Sequence, residues 1–122
     1  MTNHPIVHVE LSSKDRYKDA KFYSELFGWK MTHVEEMGYT MFDPGSEPGG
    51  GLAPIGDNMP AGSTMVHVET DDIEATLAKV ASLGGRQLVP KTEIPDMGWF
   101  ALFTDLSGNT VGLYTAMQRN GG

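Results

Sequence analysis

The tetrapeptide Val-His-Val-Glu occurs twice in this chain, at Val7-His8-Val9-Glu10 and at Val66-His67-Val68-Glu69. Side chains along a strand alternate between the two faces of a sheet, so each copy sends its valines to one face and a His with a Glu to the other. The residues downstream of the two copies are also alike. After the first, which reads as a strand over Ile6 to Leu11, Ala20, Tyr23 and Phe27 recur at helical spacing between Asp15 and Phe27, and Gly28 comes next. After the second, a strand over Thr64 to Glu69, the stripe Ile73, Leu77, Val80 and Ala81 ends at Gly84-Gly85. Ser12 and Ser13 are the expected caps of the first helix, and Asp71 with Glu74 forms a capping box for the second. Three strand-like runs then succeed each helix. They are Trp29 to Val34, Tyr39 to Phe42 and Gly51 to Ile55 in the first half, and Arg86 to Val89, Trp99 to Phe103 and Thr110 to Tyr114 in the second. A tetrapeptide with the same sequel of helix and three strands is the mark of a duplicated module.

The two halves fit within one domain. At 122 residues the chain has enough length to bury a core without staples, and it contains no cysteine, which removes disulfides, thiolate ligands and thiol nucleophiles. We expect a single domain over 1–122, with module one near 5–56, module two near 63–116, and the turn-rich Gly56 to Ser63 between them. A formal net charge of −7 without a basic run disfavours nucleic acid as a partner. No stretch has the apolar length of a membrane span, and Met1 to Ile6 lacks the basic start and apolar run of a signal peptide. The expectation is a cytoplasmic protein without membrane partners. The polar Gln118 to Gly122 is expected to fray.

Several short motifs can be set aside. Gly49-Gly50-Gly51 lacks the Lys-Ser/Thr ending and the helix of a phosphate loop. Asp105-Leu106-Ser107-Gly108-Asn109 lacks the acidic positions of a calcium loop and reads as a hairpin turn. There is no Gly-x-Ser-x-Gly elbow.

The combination of His8-Val9-Glu10-Leu11, Ala20 to Trp29, Asp71-Asp72-Ile73-Glu74, Leu83-Gly84-Gly85 and Asp105 to Tyr114 resembles the vicinal oxygen chelate superfamily, which includes glyoxalase I, extradiol dioxygenases and bleomycin-resistance proteins. The resemblance covers nearly the whole chain. It implies an α+β fold of two βαβββ modules, with curled mixed sheets around a cleft, helices on the outer face and, usually, a homodimer. In metal-dependent members the ligands come from the first and last strands of each module. His8 falls on one such position, whereas Met65, Gly112 and the Gly50-Gly51-Leu52 region fall on the others. The resemblance is therefore to a subgroup without the full ligand set.

Two residues from Met65, His67 faces the same side, and imidazole with carboxylate would suit Zn, Ni, Fe or Mn. His8 and His67 are the metal-ligand candidates, with no cofactor assigned. Two other readings stay open: a His beside a Glu acting as acid or base, and the same groups making polar contacts only. The candidate binding cleft comprises His8, Glu10, Met65, His67, Glu69, Trp99 and Tyr114. Met41 and the loop residues Met37, Met59 and Met97 could add adaptable apolar surface. The expected function is small-molecule binding of the glyoxalase, bleomycin-resistance and dioxygenase type. The alternative is an enzyme: a lyase, isomerase or dioxygenase related to lactoylglutathione lyase, acting on a small metabolite. A drug-sequestering protein, drawing cationic antibiotics by its acidity, is a third reading.

Overall fold

The computed structural model describes residues 3–117, so the expected fraying of Gln118 to Gly122 lies outside the described residues. Two compact units emerge: one holds Ile6–Val66, and the other holds the described residues from His67 onward with the short stretch through Pro5. In module one the elements are β1 (Ile6–Ser13), α1 (Arg16–Phe27), β2 (Lys30–Val34), a 3-10 turn (Glu35–Met37), β3 (Tyr39–Asp43) and β4 (Gly49–Pro54). Its strand order is β2-β3-β4-β1, with β1 parallel to β4 and the other pairs antiparallel. Module two has β5 (Thr64–Glu69), α2 (Ile73–Ser82), β6 (Arg86–Ile94), β7 (Gly98–Thr104) and β8 (Thr110–Ala116). There the order is β6-β7-β8-β5, with β5 parallel to β8. Each is a βαβββ module, as the duplicated pattern predicts, and the class is α+β.

The helix starts differ from expectation in an informative way. α1 is capped by Asp15, whose carboxylate accepts from the backbone N–H of Tyr17 at 3.1 Å and of Lys18 at 3.2 Å. Ser12 and Ser13 do not cap it, because β1 runs through Ser13, whose hydroxyl donates to Asp19. α2 is capped by Asp72, not Asp71, through a 3.0 Å bond from the Ala75 N–H. Both caps hold the extended backbone an N-cap needs, at φ −150°, ψ 97° and φ −145°, ψ 96°. At the end of α1, Gly28 takes φ 75° and donates its N–H to the Ser24 carbonyl.

Each helix covers one face of its own sheet. In module one Ala20, Phe42 and Leu52 are buried together with Leu11, Tyr23, Trp29 and Met31 against them. Tyr23, Trp29 and Phe42 stack in sequence, at 5.3 Å and 4.7 Å between centroids, so Trp29 is part of the module-one packing. In module two Ile73, Leu77, Ala101 and Leu113 form the core, with Val68, Trp99 and Phe103 packed on it. Thr40 is fully buried on the helix side of β3, where its hydroxyl lies 2.7 Å from His33 Nδ1 and accepts from Arg16 at 3.2 Å. Several strands extend beyond their expected ends, β4 and β6 among them. β4 starts at Gly49, and β6 continues past Pro90 to Ile94 with irregular register. The hairpin turn at Asp105 is as expected, its carboxylate accepting from the N–H groups of Ser107 and Asn109.

Candidate functional site

Alternation along the strands fixes which side chains meet on the face away from each helix. In module one Phe42 and Leu52 point to the helix, so Tyr39, Met41 and Gly51 share the other face. The parallel register sets Glu10 opposite Gly51, which places Glu10 and, two residues earlier, His8 on that same face. The sequence brings these groups together through the Tyr39 hydroxyl. It lies 2.6 Å from His8 Nε2 and donates to Glu10 Oε2 at 2.9 Å. With Glu10 as the carboxylate, the single phenolic proton goes to it, and the hydroxyl oxygen then accepts from a His8 that carries its proton on Nε2; this tautomer follows from the hydrogen-bond network. Burial, then the charge of Glu10, then the hydrogen bond to it, push the Tyr39 hydroxyl far above the usual tyrosine range, so it stays protonated. His8 and Glu10 on β1 and Tyr39 on β3 thus form a proton-bearing chain that crosses over β4.

Tyr39 reaches this place because β4 carries no side chain there. A Cβ built at Gly51 would fall inside the Tyr39 hydroxyl and ring. Tyr39 lies diagonally across from Gly51 on β3, within reach of an aromatic side chain. Its neighbour Gly50 is covered on the opposite face by Phe42. The Gly-rich run is thus a strand whose two faces are roofed by rings from β3.

Module two repeats the arrangement with different side chains. The N-caps Asp15 and Asp72 are 57 residues apart, and so are the first helical residues Arg16 and Ile73. The two tetrapeptides are 59 apart, from His8 to His67. The copies are therefore two residues out of structural register, and His67 corresponds to Glu10, while Met65 corresponds to His8. Cross-strand pairing agrees: Glu10 stands opposite Gly51, and His67 stands opposite Gly112. His67 is buried, and its ring fills the space over Gly112, where a Cβ would fall inside the imidazole. Met65 is buried on the same face.

Glu69 pairs with Tyr114 across β5 and β8, also on the His67 face. The Tyr114 hydroxyl donates to the Met97 carbonyl at 2.9 Å, and burial followed by the Glu69 charge raises its pKa. Trp99 does not join them. Its position on β7 has the parity of Ala101 and Phe103, so it packs on the α2 core and lies under Lys91, with the Nζ 5.2 Å from the ring centroid. Among the methionines expected in loops, Met59 is buried, whereas Met37 and Met97 are exposed. Tyr39, absent from the expected cleft, is the residue that sequence reading missed; a glycine inside a strand facing an aromatic two residues off register is the signal that could have found it.

The ligand set of a metal centre does not fit these residues. Among the described residues no group of three or more His, Asp or Glu side chains is gathered closely enough to hold an ion. His8 gives its Nε2 to Tyr39, and both last-strand positions are glycines whose space is taken by rings.

Residues 5–113 match the family model described as the Glyoxalase/Bleomycin resistance protein/Dioxygenase superfamily. A Mycobacterium tuberculosis protein whose name places it among glyoxylases, CFP32, is 31% identical over 120 residues, covering 93% of this chain and 46% of that protein. This chain thus spans about half the length of that relative. A glyoxylase-like domain-containing protein of Didymella fabae is 30% identical over 115 residues, covering 88% of this chain and 90% of its own. The fold is similar to that of methylmalonyl-CoA epimerase from Mycobacterium tuberculosis, with a TM-score of 0.71 at 15% identity over 93% of this chain and 88% of that one. Two βαβββ modules, the matching family model and the Didymella relative lead to one assignment: the chain belongs to the Glyoxalase/Bleomycin resistance protein/Dioxygenase superfamily.

Proposed function

We propose that this chain is a small-molecule-binding protein of its superfamily that meets its ligand through hydrogen bonds rather than through a metal ion. One observation carries the reading: a half-buried phenol shared between His8 and Glu10, on the face that α1 leaves uncovered. A proton-bearing chain of this kind suits an oxygen-rich organic ligand, whose carbonyl or hydroxyl groups can exchange hydrogen bonds with imidazole, phenol and carboxylate. The nearby thioether of Met41 adds adaptable apolar contact. The working form is proposed to be a cytoplasmic homodimer. For this fold, Glu69 and Tyr114 on the corresponding face of module two are the second set of proposed ligand contacts.

A second reading, an acid–base isomerase or lyase, rests on the same chain of hydrogen bonds, because a His linked to a carboxylate through a hydroxyl can take up and return a proton. The name of the structurally similar epimerase makes methylmalonyl-CoA the first compound to try. Protein-detected NMR with methylmalonyl-CoA, and with catechol as a small diol, tests the binding reading. Shift changes centred on β1 and β3 that disappear in Tyr39→Phe support it. Changes centred elsewhere, or unaltered in Tyr39→Phe, contradict it. Proton exchange at the α-carbon of the thioester, followed in deuterated water, separates the enzyme from the binder.

A further inference from the structure

We propose that this chain has replaced the last-strand metal ligand of each module by a matched pair, a glycine and a ring that fills it: Gly51 with Tyr39, and Gly112 with His67. Tyr39 is then a positioning residue that holds His8 away from metal ions. The inference deepens the hydrogen-bonding reading above and rests on it for the role of His8.

Three observations carry it. First, the two glycines are structurally equivalent, since each stands directly opposite the corresponding residue of its module's first strand, Glu10 in one and His67 in the other. Secondly, neither position is an open gap. A Cβ at Gly51 would fall on the Tyr39 hydroxyl and two ring carbons, and a Cβ at Gly112 on three atoms of the His67 ring. Any ligand-bearing residue begins with that Cβ, so a glutamate cannot return to either position while its ring is in place. Thirdly, the ring in module one is fastened to the very histidine that a metal would need. His8 Nε2 lies 2.6 Å from the Tyr39 oxygen, which also donates to Glu10. An imidazole that spends its Nε2 proton on the phenol has no lone pair there to give. The same solution reached with two different side chains, a phenol and an imidazole, ties the pairing to the position rather than to one residue type.

Removing the ring should therefore make room for the ligand. With Tyr39→Ala, a glutamate at 51 would share one face with Glu10, directly across the strand, and with His8. The test compares the tag-free wild type, Gly51→Glu, Tyr39→Ala and the Tyr39→Ala/Gly51→Glu double variant, measuring melting temperature and uptake of Co²⁺ alone by equilibrium dialysis and visible absorption. The wild type is expected to take up no stoichiometric Co²⁺. Gly51→Glu should lose most of its thermal stability, and the double variant should melt higher than Gly51→Glu and bind one Co²⁺ per chain, lost again on adding His8→Ala. The proposal is overturned if the wild type binds one Co²⁺ that His8→Ala removes, if Gly51→Glu melts like the wild type, or if a folded double variant takes up no metal. Should the glutamate variants not fold, Gly51→Ala replaces them: a melting-temperature loss that Tyr39→Ala largely abolishes supports the pairing, and an additive loss overturns it. A wild type that binds no Co²⁺ yet shows no organic ligand at β1 and β3 would fail the binding reading while leaving the pairing intact.

Discussion

The pairing of Gly112 with His67 can be measured as a coupling energy in module two, without any ligand. Gly112→Ala adds one methyl group into a space the His67 ring already fills. His67 is 8% exposed, so its ring cannot swing into solvent without opening the face it covers. Overpacking of this kind costs about 1–3 kcal/mol. In a chain of this length each kcal/mol moves the melting temperature by about 4 °C, so the single variant should melt about 4–12 °C lower. His67→Ala alone loses a buried ring and should cost about 2–3 kcal/mol, somewhat less than a buried phenyl. In the double variant the new methyl group occupies part of the vacated space, so the cost of Gly112→Ala should fall below about 0.5 kcal/mol, and the coupling should be about 0.5–3 kcal/mol. Urea unfolding followed by tryptophan fluorescence gives all four free energies. Additivity within about 0.5 kcal/mol would refute the claim that the ring and the glycine share one space.

Tyr39→Phe tests the half-buried, hydrogen-bonded phenol through pH. The folded chain keeps Tyr39 protonated while an unfolded tyrosine ionises near its ordinary value, so the stability it lends is fully present below pH about 10 and lost above it, at about 1.4 kcal/mol per pH unit. Alkaline unfolding of Tyr39→Phe should be shallower by that slope, and equal slopes would contradict the assignment. Thr40→Val removes a fully buried hydroxyl that serves both Arg16 and His33, and should cost about 1–3 kcal/mol in urea unfolding. Asp15→Ala and Asp72→Ala should each cost about 1 kcal/mol as lost N-caps, with a correspondingly lower urea midpoint; no change at Asp72 would return the cap to Asp71.

The module plan was legible because it rests on periodicity. Ala20, Tyr23 and Phe27, then Ile73 and Leu77, mark helices that pack as their spacing demands, and alternation put His8 and Glu10 on one face correctly. The caps misled because Ser and Asp are interchangeable as cap formers, and only the end of β1 at Ser13 decides between Ser13 and Asp15. Trp99 was misplaced because parity depends on where β7 begins, and a strand of aromatics offers apolar side chains to both faces. Tyr39 was missed for a different reason. Its role depends on the register between β3 and β4, which brings a phenol over Gly51, and register is a long-range property that no local pattern records. The repeated tetrapeptide itself marked the duplication, yet its two copies are not equivalent: the second is shifted by two residues, so its histidine does in module two what a tyrosine does in module one.

Both the proposed hydrogen-bonding role of the site and the proposed exclusion of metal depend on the engagement of His8 by Tyr39. The decisive measurement is a crystal structure of tag-free protein grown with excess nickel, with anomalous data collected at the nickel edge. No anomalous peak is expected at His8, and the Tyr39 oxygen should remain in hydrogen-bond contact with Nε2, as in the 2.6 Å arrangement seen here. A nickel peak bonded to His8, with Tyr39 turned away from Gly51, would contradict that engagement.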